Sequence, residues 1–490
     1  MMVRIEWPLH IVRRIAFGTV AVVVLAVGGW FLVSWLQESN ARCGDGVVKQ
    51  GADHECVGVT DGSYVFASHL ATVEKKIQEE NEKVETDGKP YVSVAYLTSF
   101  TLTAQDSNTP ESVRHQLEGA YLAQQRVNRG DLASSPRIKL LIANSGSQSA
   151  QWPHTVGELI KRTGSKDHLV AVTGLGPSTD ANRAAVKKLS ANGIAMVASI
   201  MTATNLQNIE NFVRVAPTNT DEALAASAYL KRRKFGTAVV VADVAKSNLY
   251  ARTLADAFTK AFPDPTHHLV ADRMGYDSSL SDSWRTELQL MTAQLCDEKP
   301  QVIFFAGRGT QLSAFLDALS NRTCVKQEFT LLAGDDTTNL TAKQLTNAAE
   351  TKIGIYYTGL AHPDMYKKNP DAVSARSAPY FVEGGQLDQW FPDDPRDDGQ
   401  AMMSHDAVVT AARGAQLAIS QGGKATGRSV ARMFAQMNES RQVPGASGFI
   451  SFKANGDPRD KAVPILRLTS SGRAEFVEVS AASGTPERRQ

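Results

Sequence analysis

The sequence predicts an α/β fold of two lobes, each a parallel sheet flanked by helices, with an N-terminal transmembrane helix. Three observations predict it. The chain has 490 residues, well beyond the ~100–150 residues of a common single domain. From residue 91 onward, short apolar strand-like runs alternate with amphipathic helical stretches, the pattern of parallel strands covered on both faces. Residues 15–36 form an uncharged apolar run of about 22 residues, enough to cross a bilayer core.

Arg4, Arg13 and Arg14 precede that run, and the first charge after it is Glu38. Basic residues stay on the cytoplasmic side. Residues 1–14 therefore read as a cytoplasmic tail, residues 15–36 as a single-pass cell-membrane anchor, and the bulk as extracytoplasmic. Trp30 and Trp35 stand toward the outer end, where indoles favour the interface. A cleavable signal peptide is the competing reading. Its apolar region is usually about 7–15 residues, followed by small residues at the cut. Ser39-Asn40-Ala41 is a poor cleavage site, and no lipobox precedes Cys43. The four cysteines allow three pairings. The local one, Cys43 with Cys56 and Cys296 with Cys324, is simplest, and an oxidising exterior would preserve it. No C-x-x-C spacing supports a zinc ribbon or a redox dithiol.

Along the chain, residues 37–89 read as a Gly- and Asp-rich disulfide loop followed by a charged helical stalk, ended by Asp87-Gly88-Lys89-Pro90. Strand-like runs then occur at residues 91–100, 137–144, 168–174, 194–199, 238–243, 301–307, 329–334 and 352–360. Helical patterns lie between them, at residues 110–128, 155–163, 179–192, 249–262 and 311–320. So many units exceed one sheet, and two α/β lobes accommodate them. Residues 369–400 read as a helix followed by a mobile acidic loop, Pro392-Asp393-Asp394-Pro395-Arg396-Asp397-Asp398. Residues 481–490 read as a disordered tail.

The formal net charge is +1, so there is no electrostatic case for nucleic acid. The basic cluster Lys231-Arg232-Arg233-Lys234 suits a solvated face. No G-x-S-x-G, H-E-x-x-H or Gly-Lys-Ser/Thr loop is present. The reading is therefore not an enzyme, with no cofactor and no metal. A hydrolase on the same scaffold is the alternative from a different class, and Ser178 has no identifiable His partner for it.

Several motifs in order resemble one family. Gln116-Leu117-Glu118-Gly119-Ala120-Tyr121-Leu122-Ala123 is similar to its first helix. Val172-Thr173-Gly174-Leu175-Gly176-Pro177-Ser178 looks like its third strand and ligand loop. Gly193-Ile194-Ala195-Met196-Val197-Ala198-Ser199, then Thr202-Ala203-Thr204, looks like the fourth. Phe212-Val213-Arg214-Val215-Ala216-Pro217-Thr218 resembles the first lobe crossing. Gly448-Phe449-Ile450-Ser451-Phe452 with Asn455-Gly456-Asp457-Pro458 is similar to the carboxy-terminal hairpin and is the most specific of these. From about residue 91 to 468 the chain resembles the type I periplasmic binding proteins, which include leucine/isoleucine/valine-binding proteins and extracellular domains of some receptors.

The resemblance implies a small-molecule ligand, such as an amino acid or related metabolite, held between two lobes and delivered to an ABC-type transporter. A surface sensor of the same fold is its alternative. Either output needs a membrane permease or signalling partner. Crossings are expected near residues 217–219, 357–362 and 443–448. Lobe one would comprise residues 90–216 and 363–442, and lobe two residues 220–356 and 448–480. The carried-over ligand residues are Gly176, Ser178, Thr202 and Ala203 from lobe one, and Tyr250 and Asp335 from lobe two. A helix starting near Ser178 or Thr179 would aim N–H groups and a positive dipole end at the ligand. Each has a plainer role: Ser178 as an N-cap, Tyr250 as helix packing, Asp335 as a cap of the next helix. Arg308 suits an anionic ligand or an exposed loop. Ile200 and Met201 replace the small residues common in the fourth loop, which points to a larger or more apolar ligand.

Overall fold

Val302-Ile303-Phe304-Phe305-Ala306 is apolar at every position and forms a strand with every residue buried. Continuous runs of this kind mark strands covered by helices on both sides, and they build two large sheets. The computed structural model describes residues 41–131, 136–281, 283–337, 340, 342–392 and 395–488. The expected anchor at residues 15–36 lies outside them. Among the described residues, no helix is long and apolar enough to cross a membrane.

The first sheet comprises β1 (Arg42–Gly44), β2 (Val47–Gln50), β3 (Glu55–Thr60), β4 (Tyr91–Thr98), β5 (Arg137–Asn144), β6 (Leu169–Gly174), β7 (Ala195–Ala198) and β8 (Phe212–Arg214). Its order is β1-β2-β3-β5-β4-β6-β7-β8. Strands β5-β4-β6-β7-β8 run parallel, and β1–β3 add an antiparallel edge through β3 and β5. The second sheet uses β9 (Thr237–Asp243), β10 (His268–Leu269), β11 (Met274–Tyr276), β12 (Val302–Ala306), β13 (Phe329–Ala333) and β14 (Ile353–Thr358). A short pair, β15 (Val443–Pro444) and β16 (Phe449–Ile450), stands apart. The hairpin β17 (Val463–Leu468) and β18 (Ala474–Ser480) then extends the second sheet antiparallel to β14.

Helices cover both faces of each sheet. On sheet one, α1 (Ala71–Thr86) and α2 (Pro110–Asn128) share a core with Val94 and Tyr96, while α3 (Trp152–Arg162) and α4 (Asp180–Ala191) share one with Ala95 and Leu97. That split is the strand's two-residue alternation. On sheet two, α5 (Asn219–Arg232) and α6 (Leu249–Ala261) lie on one face. The opposite face carries α7 (Ser283–Glu298), α8 (Gly309–Ser320) and α9 (Ala342–Glu350). Late in the chain, α10 (Gln400–Ser420) and α11 (Gly427–Phe434) return to the first core. Thr218 caps α5 by accepting the Asp221 N–H at 3.1 Å, starting the helix as the chain leaves sheet one. Both local cysteine pairs are joined, Cys43–Cys56 and Cys296–Cys324.

The structure corrects four expectations. Residues 37–89 are not a peripheral loop and stalk. Strands β1–β3 are the edge of sheet one, and α1 packs on it through Val73, Ile77 and Val84. The buried Asn81 side chain donates to Leu140 O at 2.7 Å and accepts the Leu140 N–H at 2.9 Å. Lys75, Glu79, Glu82, Lys83 and Glu85 are exposed while Glu74 and Glu80 are buried beside the apolar stripe, so that narrow stripe is hidden in an acidic, lysine-rich pattern. The third crossing comes after residue 458 rather than at 443–448. Ile450 and Phe452 bury in the first core, whereas Ala462 belongs to the second. The acidic loop is pinned where it is described: Arg396 pairs with Glu118 at 2.5 Å and Asp388 at 3.1 Å, and His115 lies 2.7 Å from Asp398. Asp393 and Asp394 lie outside the described residues. The tail is also tied down. Ala481 is buried, and Glu487 accepts the Ser451 hydroxyl at 2.5 Å.

Candidate functional site

The loop after β6 leads into α4 through two left-handed residues, Leu175 at φ 70° and Gly176 at φ 68°. A side chain at Gly176 would place its Cβ 2.6 Å from Asn182 Nδ2, so the close turn requires glycine there. Thr179, not Ser178, is the cap of α4, accepting the Asn182 N–H at 3.2 Å. Ser178 is buried, and its Oγ accepts the Ala203 N–H at 3.0 Å. Two of the expected ligand groups therefore brace each other and clamp the loop after β6 to the loop after β7.

The second loop is held from beneath. Arg214, fully buried at the end of β8, donates to Met201 O at 2.9 Å and Ala203 O at 2.8 Å. Its Nε lies 2.8 Å from Asp457 Oδ1, on the segment leading into the third crossing. Gln207 donates to the other oxygen of Asp457 at 2.7 Å. The two carbonyls that Arg214 grips flank Thr202 and set its direction. Ile200 and Met201 point into the two cores of lobe one. Both are buried, and the cluster around Met201 also takes in Leu249 of lobe two.

Lobe two supplies the opposing face. Thr202 Oγ1 lies 3.5 Å from Asp335 Oδ1 across the cleft. Tyr250, at the start of α6, is buried, and its hydroxyl accepts the Asp336 N–H at 3.2 Å. Asn219 holds the same turn by donating to Tyr250 O at 2.7 Å. Arg308, expected as an exposed loop residue, is instead largely covered, at 12% side-chain exposure. Its guanidinium sits 4.7 Å from the Tyr250 ring centre, pairs with Asp336 at 3.0 Å, and donates to Ser178 O at 2.6 Å in lobe one. Asp336 also accepts the Gly309 N–H at 3.1 Å, which ties the start of α8 to the same cluster.

The lobe-two face is acidic and costly to keep ionised. Burial pushes the Asp335 carboxyl up to about 7; neighbouring Asp336 adds to the rise and Arg308 opposes it. Glu222 is buried on α5 and accepts the Thr358 hydroxyl at 2.7 Å. Its carboxyl is raised well above the usual range, first by burial and then by Asp335. Carboxylates held this way become easier to ionise when a cation arrives. The lobe-one face presents neutral hydroxyls and N–H groups near the start of α4, which suits an anion.

Of the expected site residues, Ser178 and Ala203 touch directly, Thr202 and Asp335 meet across the cleft, and Tyr250 joins through the Asp336 backbone. Gly176 shapes the turn and bonds none of them. Arg308, Asp336 and Glu222 complete the cluster. Arg308 and Asp336 follow β12 and β13 at their carboxyl ends, a placement that marks ligand loops in parallel sheets. Glu222 sits inside an ordinary-looking helix start and carried no sequence signal.

Comparison with known proteins bears on this geometry. A family model described as "Receptor family ligand binding region" matches residues 115–471. Among solved structures, a leucine-binding protein, LivK, from Thermotoga maritima is 19% identical with a TM-score of 0.59, covering 79% of this chain and 98% of that one. The branched-chain amino acid transporter substrate-binding protein LivJ from Streptococcus pneumoniae, in complex with isoleucine, is 15% identical with a TM-score of 0.60, covering 80% and 99%. A solute-binding protein of an ABC transporter from R. palustris, in complex with benzoate, is 15% identical with a TM-score of 0.58, covering 80% and 96%. At these identities the likeness shows a shared fold. No curated protein matches in sequence.

Proposed function

The chain belongs to the type I periplasmic binding proteins, the family of receptor ligand-binding regions, and on that premise we propose that it captures a small solute between its lobes for an ABC-type permease. One observation carries the reading: loops at the carboxyl ends of strands from both sheets meet at Thr202–Asp335 and Ser178–Arg308. A solute seated there touches both lobes at once and favours the closed arrangement by its differential contacts. The hydroxyls of Ser178 and Thr202 suit a carboxylate, with the Ala203 N–H bracing Ser178 from behind, and Asp335 with Glu222 suits an ammonium. That division fits an amino acid or a related metabolite, as in the leucine and isoleucine binders of this fold.

Asp335→Asn is expected to weaken binding of an ammonium-bearing solute by about 1.5–3 kcal/mol, the scale of a charged hydrogen bond. The pH dependence has a definite sign. Because the folded-state value is raised to about 7, this group favours the unliganded fold at low pH, and that contribution is lost as pH rises through about 7. A cation stabilises the ionised form, so affinity should rise across the same window in the native protein and rise less in Asp335→Asn, where Glu222 alone still titrates. Calorimetric titration of amino acids into the full chain at several pH values measures this. Unchanged affinity and an unchanged pH profile in the variant would remove Asp335 from the site.

We further propose that residues 15–36 tether the protein to the cell membrane with its bulk outside, which also suits a surface sensor working through a membrane partner. The family's receptor members support that second reading. The intact mass of membrane-extracted protein tests the tether; a mature start near Arg42 would exclude it.

A further inference from the structure

A second cavity lies on lobe one, away from the cleft and sharing none of its residues. Its volume is about 580 Å³, within the range of roughly 300–1,000 Å³ typical of small-molecule sites. Val127 of α2, Val409 of α10, and Val443 and Phe449 of the β15–β16 pair give it an apolar lining. Its walls are braced: the Ser374 N–H donates to Gly445 O at 3.2 Å, and Arg126 behind it donates to Ser377 Oγ at 3.1 Å. Arg376, Arg413 and Arg488 also line it, against one carboxylate, Asp371.

Among the described residues, none of these three arginines has an acidic partner, although many other arginines here form ion pairs. Arg413 donates to Gln416 at 3.2 Å, yet its Nε is buried with no partner among the described residues. A guanidinium cluster with unused donors, set on an apolar floor, matches a planar anionic head joined to an apolar body.

We propose that this cavity is a second ligand site, selective for an amphipathic organic anion with its carboxylate or sulfonate on Arg413 and Arg376 and its apolar part against Val409, Val443 and Phe449. The site is independent of solute capture in the cleft. The probe is 4-benzoylbenzoate, a carboxylate on an apolar photoreactive body, irradiated with the full chain and located by peptide mapping. Label should fall on peptides spanning residues 370–376, 409–416 and 443–449. Arg413→Gln should reduce it roughly tenfold, the loss expected for one charged hydrogen bond. Ala412→Trp should block it by filling the space, and the cleft variant Asp335→Asn should leave it unchanged. Melting curves accompany each variant, and Arg413→Gln carries the test alone if Ala412→Trp lowers the melting temperature. Label on the cleft loops, label scattered over the surface, or label insensitive to Arg413→Gln overturns the proposal.

Discussion

Replacing Arg214 with Met should destabilise the folded chain by about 3–5 kcal/mol, the scale for breaking a buried ion pair by removing one partner. The guanidinium is fully buried, and burial lowers its pKa while Asp457 opposes the shift. Its loss strands Asp457 without a counter-charge and releases Met201 O and Ala203 O from the loop that carries Thr202. Urea unfolding monitored by circular dichroism measures the loss. The double variant Arg214→Met, Asp457→Leu should recover part of it, because the stranded charge goes as well. A single variant within about 0.5 kcal/mol of native stability would show that the pair contributes nothing net. The loop consequence is separable: in a pre-folded sample the variant should bind solute more weakly, since the Ser178–Ala203 clamp loses its underside support.

Asp406→Asn should cost a similar amount, about 3–5 kcal/mol. Asp406, fully buried on α10, accepts the Ala446 N–H at 2.7 Å, the Ser447 N–H at 2.8 Å and the Ser447 hydroxyl at 2.6 Å. His405 Nδ1 lies 2.8 Å from its Oδ1, and His405 Nε2 lies 2.9 Å from Arg126 Nη1. Arginine only donates, so Nε2 must accept and Nδ1 carries the proton given to Asp406. The imidazole is therefore neutral, in keeping with burial holding its value below the usual one. Lys461, in the third crossing, donates to Ser447 Oγ at 2.8 Å and anchors the crossing to the same turn.

The network also fixes how stability responds to pH. Burial works against the Asp406 carboxylate, but its bonds from His405 and Ser447 and the nearby Lys461 hold it below the usual range. That stabilisation is present above the ordinary carboxylate range and is lost as pH falls through the depressed folded value. His405 adds a loss below about 6.5, where the unfolded chain takes a proton that the folded chain refuses. Burial pushes Lys461 down to about 8 against the pull of Asp406. The folded state thus gives up that proton before the unfolded chain does, and this group's contribution grows between about 8 and the ordinary lysine value of about 10.4. Melting temperatures of the native chain and Asp406→Asn from acid to alkaline pH check the signs. The variant should show a shallower acid limb than the native chain, keeping the part that buried His405 contributes.

The parts of the fold that were legible in the sequence share one property: their burial repeats locally. Strands such as Val302–Ala306 are apolar at every position because helices cover both of their faces. The disulfides were legible because each pair closes a short loop. The cleft loops were legible because ligands gather where parallel strands end, and the family motifs mark those ends. By contrast, α1 shows mostly its solvent face in the sequence, so its contact with sheet one became visible only when Asn81 was seen bonding Leu140.

What the sequence determined by itself was therefore the alternation of strands and helices, their two-sheet arrangement and the loops that meet in the cleft. Tertiary structure alone decided which polar groups face one another: Arg308 with Asp336 and Ser178, Arg214 with Asp457, Asp406 with Ser447 and His405. Periodicity reports which face of an element is buried. It carries no record of which distant residue waits on the other side, because the order of strands in the sheets and the path of the crossings choose that partner. A buried charge is tolerated only when such a partner is in place.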